Sequence, residues 1–281
     1  MNRARTLGLV VPPPAPPTRA PRPRSGNIFG RIVLVLLLIV VVAAGAWGLG
    51  ALNRRNAAPL GPPPFPVPLQ DVTPGEAAPG NASAPGTAQD TNPLAEWATR
   101  VAAKTDIPAR ALHAYAAADL TMQREAPACR ISWATLAGIG RIESHHGNIN
   151  GAKLQDNGLP TRPIIGIPLD GGPGVKAIHD TDGGRLDGDT TWDRAVGPMQ
   201  FIPGTWNHWA KRAAGDGQPA DPQNMDDAAL TAANYLCGAG ARDLGTGQGW
   251  WAAVMTYNNS VEYGQNVFSG ADAYARASTA Q

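Results

Sequence analysis

The stretch GIGRIESHHG, Gly138–Gly147, decides how the folded part of this chain is read. It closes the run SWATLAGIGRIES, which is largely apolar until Arg141 and Glu143. With Ser132 as N-cap and Gly147 as stop, this run is expected to be a helix. On such a helix Leu136, Ile139, Gly140 and Glu143 share one face, at i, i+3, i+4 and i+7. Glu143 therefore points where the core points. A carboxyl held against apolar surface has its pKa raised, because desolvation disfavours the charged form. A carboxyl still protonated near neutral pH is what a glycosidic general acid needs; a buried structural Glu is the alternative. Gly138 and Gly140 cost helix stability but leave room for a second backbone or a substrate. A metal site built on His145 and His146 fails on spacing. Two ligands on one helix face need three residues between them, and adjacent His residues point apart.

Helical spacing continues on both sides of this stretch. PLAEWATRVAAKT places Leu94, Trp97, Val101 and Ala102 on one face, and DIPARALHAYAAADLTMQREA follows, with Asp106 as cap and Pro108 in the first turn. Further on come PGTWNHWAKRAA from Pro203, NMDDAALTAANYLCGAG capped by Asn224, WWAAVMTYNN, and VEYGQNVFSGADAYARA. Strand-like alternation is scarce, so residues 94–281 are expected to form one mainly α domain. Between Glu143 and the next informative motif lies a Gly/Asp/Pro-rich loop, 148–192, too long to be a mere connection and so expected to be functional. Its stretch HDTDGGRLDGDTTWD holds Asp180, Asp182, Asp187 and Asp189. The first two start like a calcium loop, but Gly184 takes the fifth position and Thr191 the twelfth, where a bidentate Glu belongs. Solvated Asp-Gly turns are the simpler reading, and no cofactor is expected.

The first third of the chain has a different composition. Gly (33) and Pro (27) are in excess over the whole chain, and much of the Pro lies before residue 94. Residues 1–30 are expected to be a disordered, basic, Pro-rich tail. Ile32–Leu52 is an uncharged apolar run long enough to cross a bilayer, so 31–53 is expected to be a transmembrane helix. Six Arg precede or abut it and two follow, which puts the N-terminus in the cytoplasm and the long remainder outside. A cleaved signal peptide is the alternative, and either reading exports the rest of the chain. Residues 54–93 are expected to be a Pro/Gly/Ala-rich linker. Residues 1–55 contain eight Arg and no acid, while the whole chain is net +1, so the exported part is net acidic. A nucleic-acid partner, which would need a clustered basic face, is excluded on that ground.

Cys129 and Cys237 are the only cysteines. Outside the cytoplasm they are free to form a disulfide that ties the entrance of the Glu143 helix to a later helix. Two buried thiols are the alternative. Neither Cys has a context that would activate it as a nucleophile.

At this point the motifs resemble a known family, the lytic murein transglycosylases with a lysozyme-like fold, in particular their membrane-bound B-type branch. GIGRIESHHG resembles the catalytic-helix motif, and RAVGPMQFIPGTW (194–206) the Gly-rich turn that lines the sugar cleft. DPQNMDDAALTAANYL (221–236) resembles the helix that follows, TYNNS (256–260) the Tyr-Asn motif near the domain's end, and IPARALHAYAAA the leading helix. The motifs stand in family order over roughly 107–268. The resemblance implies that Glu143 is the single acid/base cleaving the glycosidic bond between N-acetylmuramic acid and N-acetylglucosamine, leaving a 1,6-anhydro sugar. It implies that peptidoglycan strands are the partner, that Ser144 holds the carboxyl, and that Gln200 bonds sugar amide or hydroxyl groups. Met199 and Phe201 would form apolar walls, Tyr257 would lie close to Glu143, and Asn258 would contact the acetamido group. Asp193 stands where related enzymes carry a hydroxyl residue. It would act as a second carboxylate near Glu143, favouring hydrolysis, or else pair with Arg194. A hydrolytic muramidase and a non-catalytic glycan-binding scaffold are the rival readings.

Overall fold

A computed structural model describes residues 70–80, 92–239 and 243–280. The tail 1–30 and the apolar run 32–52 lie outside them. Among the described residues no helix is long and apolar enough to cross a membrane.

The described chain is mainly helical. The helices are α1 (Pro93–Ala102), α2 (Ala109–Glu125), α3 (Trp133–Ser144), α4 (Pro203–Trp209), α5 (Met225–Gly238), α6 (Gly247–Tyr257) and α7 (Val261–Thr279). Two short strands, β1 (Ile165–Pro168) and β2 (Arg194–Val196), pair antiparallel, with Ile165 opposite Val196 and Pro168 opposite Arg194.

α3 is the centre of the domain. Every residue from Trp133 to Gly140 is buried, as expected of a helix apolar all round. Ser132 caps it as the sequence predicts, its side chain accepting from the Thr135 amide at 3.3 Å. The two glycines have a defined use. A Cβ on Gly138 would lie 2.6 Å from the Val267 carbonyl oxygen, and one on Gly140 only 1.9 Å from the Tyr115 hydroxyl. The space they leave is thus taken by α7 and by a buried phenol, not by a substrate. Against α3 pack the buried Trp97, edge-on to Trp133, the buried Tyr115, over Gly140, and the buried Trp250, whose indole donates to Thr135 at 3.0 Å.

The disulfide between Cys129 and Cys237 is formed. It fastens the short 3-10 turn Pro127–Cys129, just before α3, to the last turn of α5.

Three expectations about the elements need correction. Asp106 does not cap α2; the Ncap position is Pro108, with no side-chain bond. α3 stops at Ser144 rather than running to Gly147. His145 and His146 both take left-handed conformations, with φ of 48° and 60°. The His146 amide donates to the Gly140 carbonyl at 2.9 Å, closing the helix end. The reason is tertiary, because the His146 side chain is drawn inward between the hydroxyls of Tyr115 and Tyr274, 3.1 Å from each. Finally, residues 70–80 of the expected linker lie against the domain. The Trp133 indole donates to the Glu76 carbonyl at 2.9 Å, the Glu76 amide to Ser278 Oγ at 2.9 Å, and the Gly247 amide to Asp71 at 2.6 Å. A Cβ on Gly75 would fall 2.8 Å from the Trp133 ring, so only glycine lets the chain pass so close.

Candidate active site

The loop expected over 148–192 is folded onto the helical body by short-range pairing. Besides β1 and β2, isolated bridges join Leu154 to Pro160, Asp170 to Ala177 and His179 to Trp192. Its inner edge, with β2 and the turn that follows, forms one wall of a cavity of about 220 Å³. Glu143 opens into this cavity together with Leu169, Ala195, Gln200, Phe201, Ile202, Thr205, Tyr235, Tyr257 and Asn258. Glu143 is the only ionisable carboxyl in that lining.

Glu143 is the penultimate residue of α3. Its Oε1 accepts one hydrogen bond, from the Tyr263 hydroxyl at 2.6 Å. Burial pushes its pKa up to about 7, and the Tyr263 bond opposes that rise only in part. The Tyr263 phenol is itself held well above its ordinary range, first by burial and then by the Glu143 charge. It is therefore a hydrogen-bond donor to Glu143 near neutral pH. Tyr263 lies on α7, which packs against α3 around Gly138 and carries Tyr263 to the level of Glu143.

The other expected residues separate into those that reach the cavity and those that support it. Gln200 lines it in a left-handed conformation, φ 48°. Its amide nitrogen is tied to the Gly197 carbonyl at 3.0 Å, and among the described residues its oxygen receives no hydrogen bond. Phe201, Tyr257 and Asn258 also line the cavity. Phe201 and Tyr257 form an aromatic cluster with Tyr235, ring centroids 5.7 to 6.4 Å apart. The Tyr257 hydroxyl donates to the Met199 carbonyl at 2.6 Å, not to Glu143.

Three expectations fail. Met199 is not a wall of the cleft but fully buried core, its sulfur 3.4 Å from the position of a Cβ on Gly140. Ser144 does not hold the Glu143 carboxyl. Its hydroxyl donates to the Pro198 carbonyl at 2.6 Å and accepts from the Gly147 amide at 2.7 Å. It thereby fixes the Gly-rich turn to the end of α3, which sets where Gln200 stands relative to Glu143. Asp193 neither lines the cavity nor pairs with Arg194. It is fully buried and accepts from the Thr181 amide at 2.9 Å and the Thr181 hydroxyl at 2.7 Å. Arg194 pairs instead with Asp189 at 2.9 Å.

The four-Asp calcium loop is also rearranged. Asp187 and Asp189 are occupied with backbone amides and with Arg194. Asp180 and Asp182 converge on Asp193 instead, a grouping that the spacing of a calcium loop does not reveal.

Sequence reasoning missed Tyr263, Tyr235, Leu169 and Thr205. For Tyr263 no local signal exists, because only the crossing of α7 over α3 brings it to Glu143. A larger cavity, about 430 Å³, lies between residues 72–78 and the start of α3. Its charged groups are already committed, Asp119 to Gln123 and the Trp133 amide, and Arg130 to Asp243. It offers no group poised for catalysis.

No protein-family model, curated protein or solved structure matches this chain.

Proposed function

We propose that this domain has a lysozyme-like fold and is a lytic transglycosylase of peptidoglycan glycan strands. The observation that carries the proposal is Glu143: a lone carboxyl with a pKa of about 7, facing a cavity walled by aromatic rings and amide groups. Most glycosidases that use water pair two carboxyl groups. Among the described residues this cavity lining holds one, which supports a mechanism in which the substrate supplies the nucleophile.

In that mechanism protonated Glu143 gives its proton to the glycosidic oxygen as the C1–O bond breaks. The carboxylate so formed accepts the proton of the muramyl C6 hydroxyl, whose oxygen bonds to C1. The products are a free 4-hydroxyl and a 1,6-anhydro ring, and no water is consumed. One group acts as acid and then as base, which needs a pKa near the working pH. The Tyr263 hydroxyl bonds the carboxylate more strongly than the acid, so it favours the intermediate state. Tyr235, Phe201 and Tyr257 offer apolar faces to a sugar ring, and Gln200 Oε1 and Asn258 offer polar contacts for acetamido groups. The domain is held outside the membrane by the apolar run 32–52, with the N-terminus in the cytoplasm. The part of the linker that lies on the domain shortens the reach of that tether.

The test is digestion of purified peptidoglycan by the full chain in detergent, with Glu143→Gln in parallel. Products one water lighter than reducing-end fragments are expected. The variant should release them about 10²–10⁴-fold more slowly, the usual worth of a general acid/base. Reducing ends would make the protein a hydrolytic muramidase, and no cleavage by the unmodified chain would leave a glycan-binding scaffold.

A further inference from the structure

Asp180, Asp182 and Asp193 each present a carboxylate oxygen, and these oxygens lie within 4.8 Å of one another. The donors around them are unevenly shared. Asp180 Oδ1 accepts from the amides of Asp182, Gly183 and Gly184 at 2.9–3.1 Å. Both oxygens of Asp193 are taken by Thr181. Asp182 Oδ2 accepts from the Leu186 amide at 3.1 Å. Asp182 Oδ1, however, is buried with no hydrogen-bond partner, on a side chain only 1% exposed. Among the described residues the one cation paired with the cluster is Arg185, 3.9 Å from Asp182 Oδ2 and itself 60% exposed, its guanidinium also bonded to Asn207 at 2.6 Å. Arg194 is held by Asp189.

Three carboxyl groups packed this closely repel one another unless a cation lies between them. An all-oxygen donor set selects a hard cation, and oxygens about 2.4 Å from one calcium ion span up to about 4.8 Å across it.

We propose that Asp180, Asp182 and Asp193 bind one divalent cation, Ca²⁺ by donor type and spacing, with water completing its shell. The partly exposed Asp180 gives the ion its way in, and the orphan oxygen of Asp182 supplies the ligand that the protein itself leaves unused. The ion's role is to brace the cleft wall. The Asp193 carbonyl accepts from the Leu169 amide, its own amide donates to the Ile178 carbonyl, both at 3.0 Å, and Leu169 lines the Glu143 cavity. Thr181 also backs onto α4, 3.3 Å from the position of a Cβ on Gly204. This inference does not depend on the glycan reading, and its test reads binding rather than cleavage.

The experiment is equilibrium dialysis of the full chain, stripped with a chelator, against radioactive calcium. One ion per chain is expected. Asp182→Asn should weaken binding about tenfold or more, since ligand charge sets calcium affinity. Asp180→Asn should do the same if the first variant folds poorly. Asp170→Asn, a change in the same loop outside the cluster, should bind as the unmodified chain does. Terbium luminescence excited through tryptophan, with Trp192 adjacent to Asp193, should appear in the unmodified chain and be lost in Asp182→Asn. In the absence of calcium Asp182→Asn should melt at the same temperature or higher, because the new amide can donate to the neighbouring carboxyl oxygens, which Asp182 Oδ1 cannot do. No calcium uptake at millimolar concentration would overturn the proposal. Uptake unchanged in both cluster variants would overturn it as well.

Discussion

Glu143 at the end of α3 and Asp227 at the start of α5 are the same functional group treated in opposite ways. The Asp227 side chain is only 1% exposed and is wrapped by donors. It accepts from the Ala213 amide at 2.8 Å, the Asp221 amide at 2.9 Å and the Arg212 guanidinium at 2.8 Å. It also sits in the first turn of its helix, where exposed amides favour negative charge. Glu143 has one phenol donor and sits in the last turn, among carbonyls, where negative charge is disfavoured. The first carboxylate anchors the segment 211–221 to α5. The second is kept near the point of protonation. Donor number and helix polarity, more than burial alone, separate a structural carboxylate from a chemically poised one.

That contrast can be broken by removing charge at each site. Asp227→Asn should cost about 3 kcal/mol of stability at neutral pH, since one of its charge-assisted bonds is lost and others weaken. Chemical denaturation of the full chain measures it. A loss below about 1 kcal/mol would mean that the donors do not depend on the charge.

At the other site the donor can be removed and the acid kept. Tyr263→Phe deletes the one bond that lowers the Glu143 pKa, so that pKa should rise above its value of about 7. The alkaline limb of the pH–rate profile should then move to higher pH, with the maximal rate falling about tenfold. A limb that stays in place would show that another group holds the carboxyl.

The pH dependence of stability carries the most distinctive sign. The Glu143 pKa is raised in the folded state, from an ordinary 4.5 to about 7. Its contribution to stability is therefore fully present below about 4.5 and is lost as pH rises through about 7. Glu143→Gln cannot ionise and should escape that loss. Melting temperatures of the two proteins should diverge in favour of the variant between pH 5 and pH 8. If they do not diverge, the unmodified carboxyl is solvated well enough to ionise at its ordinary pKa.

The local sequence foretells much of this molecule. The apolar positions of α1 to α7 repeat at helical spacing, and Ser132 and Asn224 cap as their side chains dictate. Glu143 can be placed on the core face of α3 by counting residues. Gln200, Phe201, Tyr257 and Asn258 reach one cavity in keeping with their motifs. These are properties of a chain within a few residues of each position, where periodicity and capping chemistry act.

What the sequence leaves undecided is which side chain meets which across the core. Ser144 bonds Pro198 rather than its neighbour Glu143, because the helix ends there and a turn fifty residues later packs against it. Asp193 closes on Asp180 and Asp182 because bridges fold the loop back on itself. Tyr263 finds Glu143 because Gly138 lets α7 approach α3 closely. The sequence by itself determined a mainly helical body and one carboxyl aimed inward. Only the tertiary structure decided the partners of that carboxyl, since desolvation and hydrogen bonding depend on atoms that packing, not chain order, brings within 3 Å.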